Sequence, residues 1–145
     1  MDDPAKAVFG FRGRAGRVPY ALAFVAAAGV GLCFPDEITP AGIRAGQGTT
    51  LIGLIPLFVV TVWAALAQTV KRFHDLGWSG WNVLWLEVLP MTAWAVGIEQ
   101  TLTINLVATV VMVATVCFRF WLAIEPGQRE PNQYGFPAGQ GASAG

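Results

Sequence analysis

Charge is scarce in this chain. Lysine and arginine number 9 and aspartate and glutamate 9, together 12 % of 145 residues, about half the share usual in soluble domains. Balanced charge also removes the electrostatic footprint of a nucleic-acid-binding protein. Histidine occurs once and cysteine twice, too few and too far apart for a metal site, so no metal and no cofactor is expected. No serine or cysteine stands in a recognisable nucleophile motif, which leaves no catalytic residue to name. What the chain has instead is apolar mass: 54 % of it is hydrophobic. A soluble protein this small would need more polar surface to cover its core.

That mass falls into four stretches, Val18 to Phe34, Thr50 to Val70, Trp81 to Ile98 and Leu102 to Ile124. A bilayer core about 30 Å thick takes about 20 helical residues, and the second and fourth stretches suit that length. The first is short and rich in Ala and Gly, and the third carries Glu87 and Pro90. A cleaved signal peptide is the weaker reading of the first, because its apolar run continues past Ala28 to Phe34. The expected fold is therefore all-α, an integral membrane four-helix bundle. A basic N-terminal segment covers residues 1–17 and the transmembrane domain 18–137. Residues 71–81 make an inner loop, 125–137 a turn-rich flap, and 138–145 a disordered Gly-Ala-Ser tail.

Orientation follows from the cations. Lys6, Arg12, Arg14 and Arg17 precede the first helix, Lys71 and Arg72 lie between the second and third, and Arg129 is in the tail. The loop between the first and second helices holds Arg44 alone. Lys and Arg concentrate in cytoplasmic loops, so both termini and the 71–81 loop are expected in the cytoplasm. Pro35 to Thr49 and the turn near Glu99 then face outward. On this map Cys33 and Cys117 are about 20 Å apart along the membrane normal, beyond disulfide reach.

Ionisable groups at membrane depth need a partner or a wet cavity. Glu87 and Arg119 both lie about 8 to 9 Å inside the cytoplasmic boundary. They are expected to pair, or to share a polar cluster with Gln68. A paired carboxylate keeps a low pKa and carries protons poorly, which favours a structural pair over a coupling site for transport.

The densest run of special residues is Lys71-Arg72-Phe73-His74-Asp75-Leu76-Gly77-Trp78-Ser79-Gly80-Trp81. Adjacent side chains such as His74 and Asp75 point apart, so the pair is expected to satisfy freed backbone groups where the second helix ends. Gly77 and Gly80 allow the chain to reverse, and Ser79 suits the N-cap of the third helix. Trp78, Trp81 and Trp85 share one face if that helix begins early, at the depth where Trp anchors to the interface.

Three motifs recur on the same expected side of the membrane. Gly13-Arg14-Ala15-Gly16-Arg17 precedes the first helix, and Arg72, His74, Asp75, Gly77, Ser79, Gly80 and Trp81 mark the inner loop. Pro126-Gly127 and Asn132-Gln133-Tyr134-Gly135 with Pro137 mark the tail. Over about Val8 to Pro137 the chain resembles the bacterial inner-membrane family known as domain of unknown function 805. Two departures are Pro137, one residue early, and Asn82, where another aromatic is more usual. The resemblance implies a small multi-pass bacterial inner-membrane protein and brings no activity with it.

The motifs are expected to meet as a composite cytoplasmic face. Arg14, Arg17 and Arg72 would pair with Asp75, while Asn132 and Tyr134 cap the loop. The favoured function is a non-enzymatic accessory subunit whose face binds a partner protein or an anionic membrane lipid; the chain is expected in a membrane-protein complex or, on the transport reading, as a homo-oligomer. The alternatives are a small oligomeric transporter or channel using Glu87, and a lipid-acting enzyme using His74 and Asp75.

Overall fold

The computed structural model describes residues 4–32, 51–97 and 102–137. Expectations about Cys33, residues 35–49, the turn near residue 99 and the tail 138–145 lie outside these residues. The described chain is helical: α1 Pro4–Phe9, α2 Arg17–Leu32, α3 Leu51–Asp75, α4 Asn82–Gly97 and α5 Leu102–Ile124. No strand occurs among the described residues, only an isolated antiparallel bridge between Asn132 and Gly135.

Helix α1 is an addition to the basic N-terminal segment, where no helix is expected. Six residues are too few to hold a helix alone, and its ends are secured from outside. Pro4 opens it, a position where the missing N–H costs nothing, and the Gly10 N–H closes it on the Lys6 carbonyl at 3.1 Å. The Lys71 ammonium donates to the carbonyls of Lys6 and Ala7, at 3.2 and 2.6 Å. The Gln68 amide donates to Ala7 and Val8, and the Trp63 indole N–H to Phe9. Side chains from one region of α3 thus supply the donors that the end of α1 lacks.

The four long helices form a closed ring of neighbours, with α2 against α3, α3 against α4, α4 against α5, and α5 back against α2. Helix α1 packs on α3. Among the described residues, α5 alone contains a stretch long and apolar enough to cross a membrane, Asn105–Ile124 with mean hydropathy 2.1. A core helix of a soluble protein would be largely covered by its own chain, yet only 6 % of the most apolar window of this stretch is buried. The small hydrophobic core, Tyr20, Phe73, Leu86 and Leu122, draws one residue from each long helix. It gathers at the end of the ring where α3 stops and α4 begins.

Helix α3 stops in a Schellman motif. The Trp78 N–H bonds the Phe73 carbonyl at 2.8 Å and the Gly77 N–H bonds that of His74 at 3.1 Å. This geometry places Gly77 at φ +77°, a conformation that favours glycine. The Phe73 and Trp78 rings stack across the motif. Ser79 then caps the next helix weakly, its hydroxyl accepting the Trp81 N–H at 3.4 Å. Regular α-helix begins only at Asn82, after three tight turns bonded residue to third residue. That late start corrects the expectation of a shared tryptophan face. Trp78 packs against Phe73, Phe118 and Trp121, while Trp81 is 76 % exposed.

Candidate functional site

Asp75 is the centre to which the separated motifs converge. Its side chain is shared by two guanidinium groups: Arg14 Nε donates to Oδ1 at 2.9 Å, and Arg72 Nη1 to Oδ2 at 2.5 Å. Arg72, the largest fully buried side chain, has no exposed surface, and Asp75 is 4 % exposed. Charges taken this far from water are tolerated when paired and fully hydrogen-bonded. Both conditions hold here, since every buried side-chain nitrogen and oxygen of the described residues has a partner.

The arginines also act as staples. Arg72 sits in the last turn of α3, where its Nε donates to the carbonyl of Leu122 at 2.8 Å. Its other nitrogens reach the carbonyls of Ala15 and Glu125, so one guanidinium ties α3 to the pre-α2 turn and to the end of α5. Burial pushes the Arg72 pKa below its ordinary value. Asp75 opposes that shift, and the neighbouring charge of Arg17 adds to it. Arg14 reaches across to the flap, donating to the carbonyls of Gln128, Glu130 and Gly135 as well as of Asp75. Five planar donors suit arginine to such a hub, and lysine could not reproduce it.

The flap is laid down by the same centre. The Gln128 N–H donates to the Asp75 carbonyl at 2.9 Å. Gly127 lies so close to the Asp75 carboxylate that a Cβ there would overlap it. The Asn132 amide donates to the His74 carbonyl at 2.9 Å, and its oxygen accepts the Tyr134 N–H. The Tyr134 ring stacks on the His74 ring, with centroids 3.8 Å apart and planes within 7°. His74 Nδ1 lies 3.1 Å from the Gly13 carbonyl oxygen. A carbonyl only accepts, so Nδ1 carries the hydrogen. Burial pushes the His74 pKa down, and the bond to Gly13 partly offsets this.

The structure therefore brings together Arg14, Arg72, His74, Asp75, Asn132 and Tyr134. It does not add Arg17 to the carboxylate: Arg17 is exposed and has no ion-pair partner among the described residues. One carboxylate has two oxygens, and Arg14 and Arg72 occupy both. Ser79 and Trp81 stand apart, at the entry to α4. The centre also holds Gln128, which no motif announces; Gly127 of the tail motif closes it beside Gln128, and Lys71 of the inner-loop run holds α1. Lys71 is 4 % exposed, and burial pushes its pKa down.

Beyond the core of the ring lies a second ion pair. Arg119 on α5 donates to Glu87 on α4, and the Arg119 guanidinium sits 5.6 Å from the centre of the Phe24 ring on α2. The pairing expected from matching depth is present. Gln68 takes no part in it, because its amide is spent on α1.

A polar cleft of about 360 Å³ opens at the centre, lined by Arg17, Arg72 and Asp75 on one side and by Gly127, Gln128 and Arg129 of the flap on the other. A second, largely apolar groove of about 370 Å³ runs between α4 and α5, floored by Phe73, Trp78, Leu86 and Phe118.

Comparison with curated proteins and with solved structures returned no match. The three motifs that build the centre all fall within residues 8–136, the span matched by the family described as protein of unknown function (DUF805), and the chain belongs to that family.

Proposed function

We propose that this is a four-pass protein of the bacterial inner membrane, with both termini in the cytoplasm, which works as a non-enzymatic interaction subunit. The membrane reading draws support from an inverted distribution of residues: charged groups are buried at one end, and large apolar side chains stand exposed along the helices. Val110 and Leu22 are each 66 % exposed. Such surface suits lipid and would be costly in water. The cytoplasmic orientation rests on Arg14, Arg17, Lys71, Arg72 and Arg129 all belonging to the end that holds the Asp75 centre.

The observation that carries the interaction reading is the locking of three distant segments onto one buried carboxylate. Asp75 has both oxygens engaged by arginine, and the His74 ring is pinned between the Gly13 carbonyl and Tyr134. Groups so committed are poorly placed to move protons in a reaction. They are well placed to hold a surface rigid, which lowers the entropic cost of binding. The engagement of Glu87 by Arg119 likewise favours structure over transport.

The test is purification into nanodiscs at native expression, with mass spectrometry of everything retained. A stoichiometric protein or lipid partner is the expected result. Recovery of the chain alone, as a homo-oligomer, would overturn the interaction reading.

A further inference from the structure

The cleft beside Asp75 is unbalanced in charge. Three of its lining side chains, Arg17, Arg72 and Arg129, are cationic, and Asp75 is the single acid among them. That acid is already shared by Arg14 and Arg72, and its single charge offsets only one of them. Arg17 and Arg129 have no ion-pair partner among the described residues. Of the acids on the flap, Glu125, half-buried, acts on Arg72, and Glu130 is exposed. These two guanidinium groups reach the cleft from different elements, one at the start of α2 and the other on a flap whose backbone is bonded to Asp75.

We infer that this cleft binds a phosphate-bearing anion, and that the anion is the headgroup of an acidic phospholipid gripped by Arg17 and Arg129. Arginine forks match phosphate oxygens two at a time. The lipid source is favoured by the residues beyond Arg17 on the same helix. Val18, Leu22 and Val25, all about two-thirds exposed, recur at the spacing of one helical face. They extend an apolar stripe away from the charged end, along which acyl chains can lie while the phosphate stays at the cleft. Clustered cations at the cytoplasmic end of a helix attract acidic lipids by the same electrostatics. This inference rests on the interaction reading and names what the face holds.

The test compares retention of phosphatidylglycerol and phosphatidylcholine by the full chain, using native mass spectrometry from mixed nanodiscs. The wild type is expected to prefer phosphatidylglycerol. Arg17→Gln and Arg129→Gln are each expected to reduce the preference about 5-fold, and the double variant about 25-fold. Thermal unfolding of both singles should match the wild type, since neither side chain joins the buried network. A wild type that retains the two lipids equally would overturn the lipid assignment. So would full displacement by millimolar inorganic phosphate, which would make the free anion the ligand. A protein partner retained by the double variant, with lipid preference lost, would leave the interaction reading standing and the lipid assignment intact. Equal lipid retention beside a stoichiometric protein partner would sink this inference alone.

Discussion

Two ends of the same helices obey opposite rules. Around Asp75 even charged and polar side chains are buried: Arg72, Asp75, Lys71, Gln68 and Thr69 are almost wholly covered. Along the shafts of α3 and α5, Val59, Val60, Val107 and Val110 stand exposed. In water the second arrangement would be unstable and the first expensive. In a bilayer the shafts need no cover, because lipid tails are as apolar as valine. On the proposed four-pass reading, cohesion there comes from close packing and from polar contacts, of which the Glu87–Arg119 pair is one. The charged end must be held by specific bonds instead, and the Arg14–Asp75–Arg72 triad is built from them. On the same four-pass reading, helix cohesion depends on ionic stapling at one end and on solvent matching over the remainder.

The sharpest way to break this contrast is to alter one residue at each end. Arg72→Ala leaves Asp75 half-paired and frees the carbonyls of Leu122 and Glu125. Removing one partner of a buried ion pair costs about 3–5 kcal/mol, so the variant is expected to unfold early or to fail to accumulate in the membrane. Val110→Asp should cost about 3 kcal/mol of insertion. Val110→Ala, which trims an exposed apolar position, should change stability by less than about 0.5 kcal/mol. Thermal unfolding in nanodiscs and a membrane-insertion assay read these effects. A stable Val110→Asp variant would mean that α5 does not face lipid.

The pair deeper in the ring sharpens the comparison. Glu87→Gln and Arg119→Gln are each expected to destabilise the fold, while the double variant recovers part of the loss. The coupling should lie in the range of about 0.5–3 kcal/mol found for residues in contact. Additive losses would show that the two groups stand in separate networks.

The smallest expected effect is a pH dependence from His74. Its pKa is lowered in the folded protein by burial, so the unfolded chain binds the proton more readily. Stability contributed by the neutral ring is therefore full above the ordinary histidine value of about 6.5 and declines as pH falls below it. The groups facing the ring are the Gly13 carbonyl and the Tyr134 ring. His74→Gln should flatten the difference between unfolding at pH 7.5 and pH 5.5, and an unchanged slope would assign the acid sensitivity elsewhere.

Much of the centre is legible in the residues themselves. Two partners of Asp75, the pairing of Glu87 with Arg119, and the turn at Gly77 all follow from residue type and helical rise. Other features are not legible. Helix α1 is too short to announce itself by periodicity, although Pro4 at its start and Gly10 just past its end mark its limits. Lys71 reads as one more cytoplasmic cation, yet its ammonium is buried against α1. Arg17 reads as equivalent to Arg14 and lies beside the centre instead. Gln128 becomes part of the site only because the flap folds back over Asp75.

By itself the sequence determined the all-helical class, the apolar shafts and the residues able to make an ionic centre, because those properties reside in side-chain chemistry and in a period of 3.6. Only the tertiary structure decided which arginines Asp75 would accept. A carboxylate has two oxygens, and three arginines were near enough in the chain's motifs to compete for them. The selection was made by where the turn before α2 and the flap after α5 come to rest. It left Arg17, together with Arg129, lining a cleft without an ion-pair partner among the described residues.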